Sequence, residues 1–181
     1  MLMKDNDSNY DFAVSAFITH KERLLLLSHK KLNTWINVGG HIEANEDLEM
    51  ALWREVLEET GLKQSELQLI EPTQKHERPQ QKNTYAKILP MPFDITVYFV
   101  GNNPHHRHVD FAYLMKSCTD NVTYNKNESN QFGWFNLQEL ESMQDELFPN
   151  VYAQSVFALN QLSHTKIDAP EKIYTAQEDV I

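Results

Sequence analysis

A chain of 181 residues is long enough for one domain with a full core, because a domain of about 150 residues buries roughly 70% of the surface its extended chain exposes. Its formal net charge of −10 excludes a broad basic face for gripping a nucleic-acid backbone, so extended nucleic-acid binding is not expected. The single cysteine, Cys118, excludes an internal disulfide framework and any multi-cysteine zinc site.

In chain order, Met1 to Asp11 is polar and acidic and does not read as a signal peptide. Phe12 to Thr19 is apolar and β-branched and predicts a strand. Arg23 to Ser28 predicts a second, and the polar His20 to Glu22 between them makes the pair a hairpin. The longest purely aliphatic run, Leu24 to Leu27, falls far short of the roughly 18 residues a membrane span needs. No membrane association is expected, and a reducing cytoplasm is the expected compartment. Asn37 to Gly40 ends in a Gly-Gly turn. A helix is predicted from Glu46 to about Thr60, with Asn45 as N-cap, acids in the first turn and Gly61 as a left-handed cap.

Glu71 to Pro92 is rich in Pro, Gln, Lys and Asn and predicts a long loop. Ile95 to Val100 and Val109 to Met115 predict two strands joined by a histidine-rich turn, and Gly133 to Asn136 a short strand. Leu137 to Met143 predicts a short helix, and Asn150 to Ser163 a packed one carrying Val151, Val156, Leu159 and Leu162. The reading is a single domain over 1–181, of α/β class with helices on a mixed sheet, and a loose tail from about residue 165.

The stretch Gly39 to Leu62 carries the chemistry. A helix turns about 100° per residue, so Glu55, Glu58 and Glu59 project together near its C-terminus. Like charges at that spacing destabilise a helix by a few tenths of a kcal/mol, and the negative end of the helix dipole adds about 0.3–1 kcal/mol. A cation offsets both. Mg²⁺ suits it, being hard, oxygen-seeking and commonly shared between carboxylates and phosphates, with Mn²⁺ as a substitute. Arg54, four residues before Glu58, can pair with it and orient the cluster. Three glutamates alone are equally an exposed acidic face balanced by solvent.

The flanking residues decide between these. The order is Gly40, five residues, Glu46, seven residues, Arg54-Glu55, an aliphatic, one residue, Glu58-Glu59, one residue, Gly61, an aliphatic. This resembles the Nudix box at every fixed position, over Gly40 to Leu62, about an eighth of the chain. Val38 departs from the pattern, since relatives usually have proline there. The resemblance implies a Nudix-type α/β/α sandwich with a mixed β-sheet between helices. It also implies hydrolysis of a nucleoside diphosphate linked to another group, a small-molecule diphosphate substrate. Glu55, Glu58, Glu59 and the Gly39 carbonyl would hold Mg²⁺, Arg54 and Glu46 would orient the cluster, and Glu55 or a carboxylate outside the box would activate water.

Outside the box, His105, His106, His108 and Asp110 sit in the turn and the start of a strand, where His108 and Asp110 alternate with Val109, Phe111 and Tyr113, so the apolar set is expected to face the core and the polar pair to point away. That face is either a plain polar strand, a share of the substrate site, since a His-x-Asp strand looks similar to one in many Nudix hydrolases, or a transition-metal site. Glu128, shortly before Trp134-Phe135, resembles a family region that sometimes supplies an extra carboxylate. It is a candidate ligand or base, or an exposed loop glutamate. Trp35 is a candidate for stacking on a base, or a core residue. A non-catalytic nucleotide-binding regulatory module is the rival reading, but it should lack box glutamates and none is missing here. A homodimer stays open, as does the substrate's identity.

Overall fold

The computed structural model describes residues 9–72, 87–99 and 106–163. Strands β1 (Asn9–His20) and β2 (Arg23–His29) form the expected hairpin, turning at Lys21, which adopts a left-handed φ of 55°. Along β1 the side chains alternate. Val14, Ala16 and Ile18 enter one core cluster, while Phe17 enters the other. Leu24 to Leu27 are all buried, two to each cluster, which is why that run is continuously aliphatic.

Strand β1 is central. It pairs antiparallel with β4 (Val38–His41) and in parallel with β7 (His106–Ser117), from Asn9 opposite His106 to Thr19 opposite Lys116. Strand β2 carries β3 (Thr34–Ile36) and β8 (Ser129–Phe135), and β7 carries β5 (Leu67–Ile70) and β6 (Asp94–Phe99), all antiparallel. Helix α1 (Leu48–Thr60) packs Ala51, Leu52 and Val56 onto one face of this mixed sheet. Helices α2 (Leu137–Ser142) and α3 (Pro149–Ser163) pack Leu140, Val151, Ala158 and Leu159 onto the other. The result is the expected α/β/α sandwich.

Several boundaries differ from the sequence reading. Helix α1 begins two residues later, at Leu48, and its N-cap is Asp47, whose Oδ1 accepts from the Glu49 and Met50 N–H groups at 3.0 Å each. Asn45 instead takes a left-handed φ of 71°, which its short polar side chain tolerates. A carboxylate at the cap also answers the positive end of the dipole. Glu46 therefore stands outside the helix. Gly61 closes it as expected, at φ 69°. The Gly-Gly pair lies in β4 rather than in a turn, and β8 begins at Ser129 because β2 offers it a pairing edge that local pattern does not reveal.

Most of the expected 71–92 loop, the histidine-rich turn including His105, and the expected tail lie outside the described residues. Among described residues, no helix is long and apolar enough to cross a membrane.

Candidate active site

The second half of α1 does not simply present its acids. Val56 and Glu59 are buried, Glu59 with 4% exposure, while Glu55 is half-buried and Glu58 exposed. Arg54 organises the group from within. Its Nε donates to Glu46 Oε1 at 2.7 Å and its Nη2 to Glu46 Oε2 at 2.9 Å, a two-point carboxylate grip. Its Nη1 donates to Glu55 Oε1 at 2.8 Å and to Glu58 Oε2 at 3.3 Å, and its Nη2 also reaches the His41 carbonyl at 2.9 Å. Arg54 lowers the Glu46 carboxyl pKa, and the Glu43 N–H donating to Glu46 Oε2 at 3.0 Å adds to this. Arg54 thus ties Glu46 to Glu55 and Glu58.

Strand β4 faces the helix through its two glycines. The Gly39 N–H donates to Glu59 Oε2 at 2.8 Å. At φ 151°, Gly39 holds a conformation L side chains rarely adopt, and a Cβ there would overlap the Val14 carbonyl of β1. A Cβ on Gly40 would lie 2.6 Å from the Glu55 carboxyl carbon. One glycine lets β4 lie flat on β1, and the other leaves room for a glutamate. The sequence motif shows the pair but not these two separate reasons.

Burial pushes the Glu59 carboxyl up to about 8. The Gly39 N–H opposes the shift, and the charges of Glu55, Glu128 and Glu58 reinforce it. Burial likewise pushes Glu55 up, against Arg54, with Glu58 and Glu128 adding to it. Glu128, in the turn before β8, is thus electrostatically part of the cluster although it is a loop residue. Three carboxylates, Glu46, Glu55 and Glu58, share the Arg54 guanidinium. An oxygen-only donor set of this charge, with the space that Gly40 leaves, fits a hard divalent cation. The three helical glutamates do not converge within 4.8 Å of one another. Arg54 holds Glu55 and Glu58 while Gly39 holds Glu59, so a shared cation requires exposed Glu58 to turn from Arg54.

The other predicted residues lie on the opposite sheet face. Trp35 in β3 packs edge-on against Phe135 at 4.9 Å and lines a cleft with Thr34, Asp145 and Phe148. Asp110 points away from the α1 core as expected, but not into solvent: it is buried and accepts from Ser15 Oγ at 2.8 Å. Burial pushes its carboxyl up to about 6, opposed by Ser15 and reinforced by Asp94. The apolar–polar alternation was misleading here because α3 covers this face too. His108 Nε2 lies 3.1 Å from His41 Nε2. Asp11, Ser15 and His41 were not singled out in the sequence. They reach this site only through the β1–β7 and β1–β4 pairings, which carry no local signal.

A sandwich of this topology, with a glutamate-bearing helix braced by an internal arginine, defines a known class of hydrolase. The NUDIX domain model matches residues 9–156, and the chain belongs to that family. A NUDIX-family hydrolase from Clostridium perfringens superposes with a TM-score of 0.69 at 30% identity, over 85% of this chain and 99% of that one. An Ap4A hydrolase of C. elegans, in a binary complex, gives 0.51 at 19% over 83% and 95%. The E. coli dihydroneopterin triphosphate pyrophosphohydrolase gives 0.58 at 15% over 85% and 97%. These last two show likeness of fold alone. No curated protein matches the chain by sequence.

Proposed function

We propose that this NUDIX hydrolase cleaves a diphosphate linkage in a nucleoside diphosphate derivative or related small molecule, with Mg²⁺ held by Glu55, Glu58, Glu59 and the Gly39 carbonyl. Mn²⁺ would substitute. The observation that carries the reading is Glu59, a buried carboxylate tied to Gly39 and crowded by Glu55 and Glu128. The cation, when bound, neutralises charge on the diphosphate oxygens and acidifies water. Arg54 and Glu46 hold the glutamates in place, and Glu55 or Glu128 takes the proton from the attacking water. Trp35, His108 and Asp110 are assigned to the substrate side. Exposed Cys118 as the only cysteine fits a reducing cytoplasm.

A screen of nucleoside triphosphates, nucleotide sugars, dinucleoside polyphosphates and non-nucleotide diphosphates, with Mg²⁺ and phosphate or pyrophosphate release as readout, tests this. Turnover of at least one class is expected. Binding without turnover across the panel would favour a regulatory nucleotide-binding module instead.

A further inference from the structure

We propose that Asp11, His41, His106 and His108 form a second cation site, selective for a divalent transition metal of the zinc class, on the sheet face opposite α1. The inference rests on strand pairing and donor geometry, and it holds or fails apart from the magnesium reading.

Three adjacent strands supply the donors. Asp11 of β1 lies directly opposite His108 of β7, and His106 precedes His108 by two residues. His41 of β4 lies opposite Ala13, two residues along β1 from Asp11. Residues two apart on a strand share a face, so all four side chains leave the sheet on the same side. Val14 and Phe111, of opposite parity on β1 and β7, pack toward α1 instead.

The donor atoms are already close. His106 Nε2 lies 2.7 Å from Asp11 Oδ2, His41 Nε2 lies 4.0 Å from the same oxygen, and the two Nε2 atoms of His41 and His108 lie 3.1 Å apart. Asp11, His106 and His108 each offer a donor atom within 4.8 Å of the others. An ion with tetrahedral bonds of about 2.0 Å has ligand–ligand edges of about 3.3 Å, which these separations bracket. His41 joins the other three through His108 and Asp11.

Chemistry selects the ion. Two imidazole nitrogens facing each other need either a proton between them or a shared cation, and here a third imidazole and a carboxylate converge on the same place. Imidazole donors favour zinc and its neighbours over magnesium. The Tyr98 hydroxyl lies 3.4 Å from His108 Nδ1, on the far side of the ring from Nε2, where a partner orients a ligating histidine. The His41 and Asp11 side chains are 59% and 47% exposed, so an ion has a path in. Since the His41 carbonyl accepts from Arg54, an ion here would pin β4 between the two sites.

The test is calorimetric titration of the chelator-stripped full chain with Zn²⁺ in excess Mg²⁺. One zinc per chain is expected, retained in a Glu58→Gln/Glu59→Gln variant and in a His20→Asn control. His106→Asn and His108→Asn should each weaken it by at least about 100-fold, the upper end of what losing even a partner behind a ligand costs. Far-UV circular dichroism checks that the variants fold. If they do not, Co²⁺ added to the wild-type chain decides: the intense visible absorption of a four-coordinate ion is expected. No zinc binding, loss in the glutamate variant, indifference to both histidines, or only the weak absorption of six-coordinate Co²⁺ would overturn the proposal.

Discussion

The Gly39 N–H and the Glu59 carboxylate are joined by a 2.8 Å hydrogen bond between β4 and α1. It ties the buried acid of the α1 cluster to the glycine strand.

The two glycines should therefore fail differently. Gly40→Ala meets only the mobile end of Glu55, so turnover should fall at least about tenfold, some 1.4 kcal/mol, while the melting temperature stays near wild type. Gly39→Ala meets β1 backbone and an unfavourable φ, and should cost about 1–3 kcal/mol of stability. Parallel melts and initial rates separate the two.

Arg54→Met should lower both turnover and stability, since it leaves Glu46, Glu55 and Glu58 without their shared donor. A stability loss of about 1.5–3 kcal/mol is the usual size for hydrogen bonds to charged groups. Arg54→Lys should recover little, because an ammonium cannot grip Glu46 at two points. Denaturant titration of the three proteins reads this out.

Asp110 makes stability depend on pH in a predictable sense. Its folded pKa, about 6, lies above the ordinary 3.8. The folded chain therefore holds the proton more tightly, and the penalty for ionised Asp110 is fully present above about pH 6. It is relieved as pH falls through 6 toward 3.8. Asp110→Asn keeps an acceptor for Ser15 and removes that penalty, so the variant should gain on wild type at neutral pH, on the order of 2–3 kcal/mol. The gap should close near pH 4. Unfolding midpoints of both proteins across that range measure it, and turnover should fall less than with a box glutamate changed.

Glu128→Gln removes a charge that Glu55 and Glu59 both feel. The acid limb of the pH–rate profile should move to lower pH, with a modest loss of kcat. A collapse of turnover with an unmoved profile would make Glu128 the base.

What was legible in the sequence was local. The hairpin and the cap at Gly61 follow from short-range pattern, and both appear. The N-cap was misassigned because Asn45 and Asp47 are both capping residues, and only the left-handed turn at Asn45 chooses between them. The Asp11–His106 contact spans 95 positions. It depends on a parallel pairing that no turn announces, so the sequence offers His106 and His108 as possible ligands but not Asp11 and His41 beside them. The burial of Asp110 escaped for the same reason, because its partner Ser15 lies 95 positions away on β1.

The most direct test is kcat of Glu58→Gln and Glu59→Gln on whichever diphosphate compound the wild-type chain turns over with Mg²⁺. Both should lose at least about 100-fold, roughly 2.7 kcal/mol, with the fold intact. Near-wild-type turnover in both would contradict a cation held by α1.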